Sequence, residues 1–221
     1  MGMETREVCA PHVPRAQNST SSARWFALLL VWAAAVGGGG TLLWKYAGTA
    51  GVAATPPEQW PTQSAIPREP GHAMIVMMAH PRCPCTRASI AELAQLMGRV
   101  EGQARAHVLL IRPPGAEPGW ERTDLWRSAA AIPGVRVHAD VGGAEAALFQ
   151  ASTSGQTVVY DAAGHLLFRG GITSSRGHEG DNVGRQRIMS LLTRGHADRS
   201  DSKVFGCSLD SRAPRSGNGR L

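Results

Sequence analysis

Two cysteines one residue apart, Cys83 and Cys85, stand around Pro84 in the stretch AHPRCPCTRASIAEL, residues 79–93. A helical pattern begins at this turn, so both sulfurs fall at a helix N-terminus with Arg82 and Arg87 beside them. The positive end of a helix and neighbouring cations both favour the thiolate, which is the reactive form of cysteine. A disulfide across one residue closes a small ring that proline stiffens, and a strained bond of that kind is easily reduced. The pair therefore points first to thiol–disulfide exchange, with Cys83 and Cys85 as catalytic residues and the thiols or disulfides of a partner protein as substrates.

A second chemistry competes on the same residues. Cysteine and histidine suit copper(I) and zinc, and His80 lies three residues before Cys83. The polar, glycine-bounded run SRGHEGDNVG, residues 175–184, adds His178 and Glu179 if it folds back over the turn. The metal alternative is then Cys83, Cys85, His80 and His178 around one ion; the first reading needs no cofactor. His178 and Glu179 also serve as auxiliary acid–base groups in the exchange reading, while Asn182 suits a helix cap better than catalysis. A third reading keeps the pair as an inert bond in a redox-inactive binding scaffold. Of the remaining cysteines, Cys207 stands alone in KVFGCSL as an auxiliary redox partner or an intermolecular bridge, and Cys9 lies near the start of the chain.

These residues need elements to hold them. AMIVMMA, residues 73–79, is an unbroken apolar run of the kind that forms a buried central strand. Residues 86–97 place Ile90, Leu93, Leu96 and Met97 at helical spacing. RAHVLLI (105–111) predicts a second buried strand, 123–132 a helix with Thr123 at its cap, VRVHAD (135–140) a third strand, and 144–151 a short helix. TVVYDAAGHLLFRGG, residues 157–171, reads as a hairpin turning at Ala162-Ala163-Gly164, and 183–194 as a final helix. The order β-α-β-α-β-α-β-β-α indicates an α/β sandwich with a mixed sheet.

That order, with cysteines between the first strand and its helix, resembles the thioredoxin fold and the membrane-tethered thioredoxin-like reductases of the bacterial periplasm. HPRCPCTRASIAEL, SGQTVVYDAAGHLLFRGGIT, SRGHEGDN and VFGC together resemble the RedB-like proteins of bacteria. The likeness covers about Met74 to Cys207. It implies a thioredoxin-like three-layer sandwich preceded by one transmembrane helix and, in the family's order, Cys83 as the more exposed, attacking thiol and Cys85 as the resolving one. Two departures stand out. Thioredoxins keep two residues between their cysteines, where this chain has Pro84 alone. They also carry a cis-proline before the first hairpin strand, where this chain has Gly155 and Gln156 and a trans peptide is expected.

The N-terminal part sets the location. WFALLLVWAAAVGGGGTLLW, residues 25–44, has no charge and is long enough for a bilayer core of about 30 Å, with tryptophans at both ends. The run Gly37–Gly40 is expected to weaken the helix at its middle. Arg6, Arg15 and Arg24 precede the span and Lys45 follows it, so residues 1–24 are placed in the cytoplasm and the globular part in the periplasm or exterior. The expected layout is an anchor at 25–47 in the inner membrane, a Pro/Ala-rich spacer at 48–71, a domain at 72–207 and a disordered tail at 208–221. An uncleaved anchor is favoured over a cleaved signal peptide because the apolar stretch is long. The formal charge of +6 is almost all scattered arginine, with no basic run, and no nucleic-acid partner is expected.

Overall fold

The computed structural model describes residues 19–53 and 55–209. Cys9 and residues 210–221 lie outside them. The chain divides into two compact units, residues 1–44 and 45–221.

Helix α1 spans Ser19–Gly48. Its residues 22–48 are long and apolar enough to cross a membrane, and Trp25, Phe26, Leu30, Trp32 and Leu42 are all exposed. The helix runs unbroken through Gly37–Gly40, where the sequence predicts a weak point; the Thr41 hydroxyl donates to the Gly37 carbonyl at 2.8 Å.

The second unit is an α/β sandwich. Its strands are β1 Ala73–Ala79, β2 Ala104–Arg112, β3 Val135–Val141, β4 Gln156–Tyr160 and β5 Leu166–Gly171. They form one sheet in the order β3-β2-β1-β4-β5. β1, β2 and β3 run parallel, and β4 and β5 run antiparallel to them as the expected hairpin. The helices are α2 Pro84–Arg99, α3 Asp124–Ala130, α4 Ala144–Leu148 and α5 Val183–Arg194. This is a thioredoxin-like three-layer sandwich with a mixed sheet.

The alternation of side chains along β1 makes two cores. Ile75, Met77 and Ala79 face α2, α3 and α5, meeting Leu93, Leu96, Leu125 and Ile188. Met74, Val76 and Met78 face the other way, toward Phe149, Tyr160, Trp60 and Leu209. β1 is buried on both sides, which is why it reads as a continuous apolar run rather than an alternating one.

Two boundaries expected from sequence move. Residues 48–71 are not a free spacer. Trp60 and Ile66 are buried in the second core, with Trp60 edge-on to Phe149 at 5.2 Å and to Tyr160 at 5.3 Å. The Glu58 carbonyl accepts from the Leu166 N–H, and the Pro57 carbonyl accepts from the Tyr160 hydroxyl. A proline-rich composition reported stiffness, but the aromatic and aliphatic residues within it decided where the segment lies. At the other end, Ser208 and Leu209 belong to the domain: Ser208 bridges to Thr153, and Leu209 is buried.

Candidate functional site

Pro84 decides where α2 starts. Proline suits the first turn of a helix and forces the residue before it into extended backbone. Cys83 accordingly sits at the N-cap with φ −91° and ψ 122°. The turn is closed by the Cys83 N–H on the His80 carbonyl and the Thr86 N–H on the Cys83 carbonyl. Thr86 also donates its hydroxyl to the His80 carbonyl, and the Ser154 hydroxyl accepts from the His80 N–H at 2.9 Å. Ser154 thus fastens the cysteine turn to the loop that leads into β4. The next residue, Gly155, is one of the two positions at which the resemblance expects a cis-proline. It has φ +88°, a conformation open to glycine, and all peptides are trans among the described residues.

Three sulfurs meet at this turn. The Cys83 and Cys207 sulfurs are 3.0 Å apart although 124 residues separate them in sequence. Cys85 follows two residues after Cys83, close enough that the charge at Cys83 acts on its thiol. The expected order of exposure is reversed. Cys83 is 2% exposed and Cys85 8%, while Cys207 is half-buried. Cys83 is therefore the most enclosed of the three, because Cys207 covers it.

The electrostatics distinguish the three thiols. Burial pushes the Cys83 thiol up, but hydrogen bonds from the Cys207 S–H and from the backbone N–H groups of Cys207, Cys85 and Thr86 outweigh it. The net shift is below the ordinary thiol value. Burial pushes Cys207 up to about 12, reinforced by its hydrogen bond to Cys83 and by the charge there; nearby Arg176 acts in the opposite sense. Burial, then the charge at Cys83 and the hydrogen bond to it, likewise raises Cys85, again against Arg176. Of the three thiols, Cys83 alone is shifted down, while Cys85 and Cys207 are shifted up. Either thiol of the Cys83–Cys207 contact can be its donor.

The cations expected at the site serve elsewhere. Arg82 stacks over the Trp120 ring at 4.2 Å, and Arg87 pairs with Asp124. The guanidinium that faces the sulfurs is Arg176, from the loop 175–182, and it also donates to the Gly206 carbonyl. The far end of the same loop is tied to a buried anchor two turns along α2. Glu92, fully buried, accepts from the Gly180 N–H at 2.6 Å and from the Asn182 side-chain amide at 2.8 Å, and it pairs with Arg185 at 2.7 Å. Asn182 caps α5 as expected, accepting from the Arg185 N–H at 2.7 Å. The Thr123 hydroxyl caps nothing and donates instead to the Pro81 carbonyl at 3.0 Å.

The residue set expected for copper or zinc is not brought together. The His80 ring accepts from the Arg82 N–H at 3.2 Å and packs edge-on against Trp120. His178 and Glu179 are exposed on the loop that presents Arg176. Among the described residues, no three His, Cys, Asp or Glu side chains are arranged to hold a metal ion.

Sequence reasoning missed Arg176 and Glu92. The signal for Glu92 is a second stripe on α2, Cys85, Ser89 and Glu92 at spacings of four and three, which is a helical face in its own right. All three residues are buried.

No protein-family model and no curated protein sequence matches the chain. Among solved structures it is similar to a hypothetical protein from Sinorhizobium meliloti 1021, at 17% identity over 73% of this chain and 93% of that one, with a TM-score of 0.54. It is also similar to an uncharacterized conserved protein from Geobacillus kaustophilus, at 18% identity over 73% and 92%, with a TM-score of 0.50. A secreted Mycobacterium tuberculosis disulfide oxidoreductase aligns over 57% of this chain and 83% of that one, at 14% identity and a TM-score of 0.40.

Proposed function

We propose that the chain is a membrane-anchored, RedB-like member of the thioredoxin-like proteins that performs thiol–disulfide exchange at the Cys83-Pro84-Cys85 turn. One observation carries the reading: a buried cysteine at the N-cap of α2 holds a lowered thiol pKa and lies against a second sulfur at 3.0 Å. Stabilised thiolates next to a partner thiol exchange disulfides, and an inert structural cysteine needs neither feature. The substrates are thiols or disulfides of another protein. α1 supplies the anchor, and the arginines before it place the exchange domain on the far side of the inner membrane, where oxidised cysteines persist.

The test is a redox titration of the full chain in detergent, in graded glutathione buffers with chelator present. A reversible two-electron step above roughly −250 mV, lost in Cys83→Ser, is the expected result. Thiols that stay reduced at every glutathione ratio would refute exchange.

A further inference from the structure

The third sulfur arrives on a segment that has no helix or strand of its own. Residues 200–209 run beside β5 and then along the loop before β4. The Ser202 N–H donates to the Arg169 carbonyl at 3.1 Å, and the Ser202 hydroxyl donates to the Gly171 carbonyl at 2.6 Å. The Val204 carbonyl accepts from Gly51, the Cys207 carbonyl accepts from the Ser154 N–H at 2.8 Å, and the Leu209 N–H donates to the Ser152 carbonyl at 2.9 Å. Val204, Phe205 and Leu209 are buried. Gly206 has no room for a side chain, since a Cβ there stands 1.9 Å from the Ser154 carbonyl oxygen. Cys207 is thus fixed from both sides, by backbone hydrogen bonds and by a close backbone approach that only glycine permits. The loop edge at Ser152–Ser154 would otherwise be open to an extended peptide; this chain fills it with its own residues 207–209.

We propose that Cys207 is the disulfide partner of Cys83, and that thiol substrates enter at the Cys207 sulfur. The proposal rests on the exchange reading above and deepens it. The two sulfurs already touch, and the more exposed of them is the one on the strap. In forming the bond, the Cys83 thiolate and the Cys207 thiol give up two electrons and one proton to a disulfide oxidant, which leaves as one thiol and one thiolate. In the return step an incoming thiolate attacks Sγ of Cys207. The Cys83–Cys207 bond breaks, and its electron pair stays on Cys83 as a thiolate beneath the N–H groups at the start of α2. A sulfur of lower pKa leaves faster, which favours attack at Cys207 over attack at Cys83. A second substrate thiolate then attacks the substrate sulfur of the mixed disulfide and expels Cys207, which takes up a proton. The substrate dithiol has become a disulfide, and the pair in the chain is reduced. Cys85 forms and breaks no bond in either step.

The experiment uses the full chain with Cys9→Ser, equilibrated in detergent with oxidised and reduced glutathione, acid-quenched, alkylated and digested without reduction. The expected product joins the Cys83 peptide to the Cys207 peptide, with the alkyl group on Cys85. Cys207→Ser is expected to lose the couple. Thionitrobenzoate added to the oxidised chain is expected to form its adduct on Cys207. Gly206→Val retains all three cysteines and is expected to lose the Cys83–Cys207 product by displacing the strap. A bond between Cys83 and Cys85 with Cys207 alkylated, or an adduct on Cys83, would overturn the proposal and leave exchange at the turn standing. Absence of any oxidation would remove both.

Discussion

Glu92→Ala is the sharpest test of how the site is built. The carboxylate is fully buried and has three partners: the Gly180 N–H, the Asn182 side chain and Arg185. Arg185 is itself only 13% exposed, so removing Glu92 leaves a largely buried guanidinium without its closest carboxylate. Breaking one side of a buried ion pair costs about 3–5 kcal/mol. Two further donors lose their acceptor, but the loop reaches water at Glu179 and Asp181, so rehydration offsets part of that loss and the total stays near the same range. With a urea slope of about 2 kcal/mol per molar, the unfolding midpoint is expected to fall by roughly 2 M. Glu92→Gln keeps an oxygen acceptor and the side-chain volume, and is expected to lie about halfway. The same loop carries Arg176, so Glu92→Ala is also expected to slow alkylation of Cys85 at neutral pH. A midpoint change under about 0.5 M, or alkylation unchanged in a destabilised variant, would refute the role of Glu92 as the anchor of that loop.

Stability is expected to decline in alkali. Cys207 is held at about 12 in the folded chain against an ordinary value of 9.0. The unfolded chain therefore releases this proton first and binds fewer protons between the two values. The contribution of Cys207 is fully present below pH 9 and is lost as pH rises toward 12. Urea midpoints taken at about pH 8 and pH 10.5 should diverge in the native sequence and converge in Cys207→Ala; parallel declines would refute the assignment. For the membrane reading, a maleimide that does not cross membranes, applied to intact cells under reducing conditions, is expected to label Cys207 and spare Cys9. Labelling of Cys9 would reverse the proposed orientation.

The layers of the fold were legible because each element announces itself over a short window. β1 is a run of apolar residues, α2 a helical stripe behind a proline, and the hairpin a pair of apolar runs around Ala162-Ala163-Gly164. The cysteine turn was legible for the same reason. What pairs with it was not. The Cys83–Cys207 contact depends on backbone hydrogen bonds from Ser154 and Leu209 to residues in coil, and such bonds carry no side-chain signature. Gly206, which a close approach to Ser154 requires, looks in the sequence like any other loop glycine. The loop 175–184 was recognised as functional, but for its histidine and glutamate. Arg176 passed unnoticed among many scattered arginines, because its inward direction depends on the Gly206 carbonyl, which is 30 residues away in sequence. Trp60 was obscured by its prolines in a similar way.

Gly51 donates its backbone N–H to the Val204 carbonyl at 2.8 Å, and the Thr153 hydroxyl donates to the Val52 carbonyl at 2.9 Å. Residues ahead of the first strand and residues beyond the last helix are thereby stitched to each other and to the loop beside the sulfurs. The consequence concerns what can be transplanted. A fragment cut at the limits of the sheet and its helices, 73–194, would carry every strand and the helices α2 to α5. It would lack Trp60 from one face, and it would lose Cys207 from the reacting cluster. The smallest portable piece with all three thiols in place is 51–209, so the chemistry belongs to a longer stretch than the architecture does.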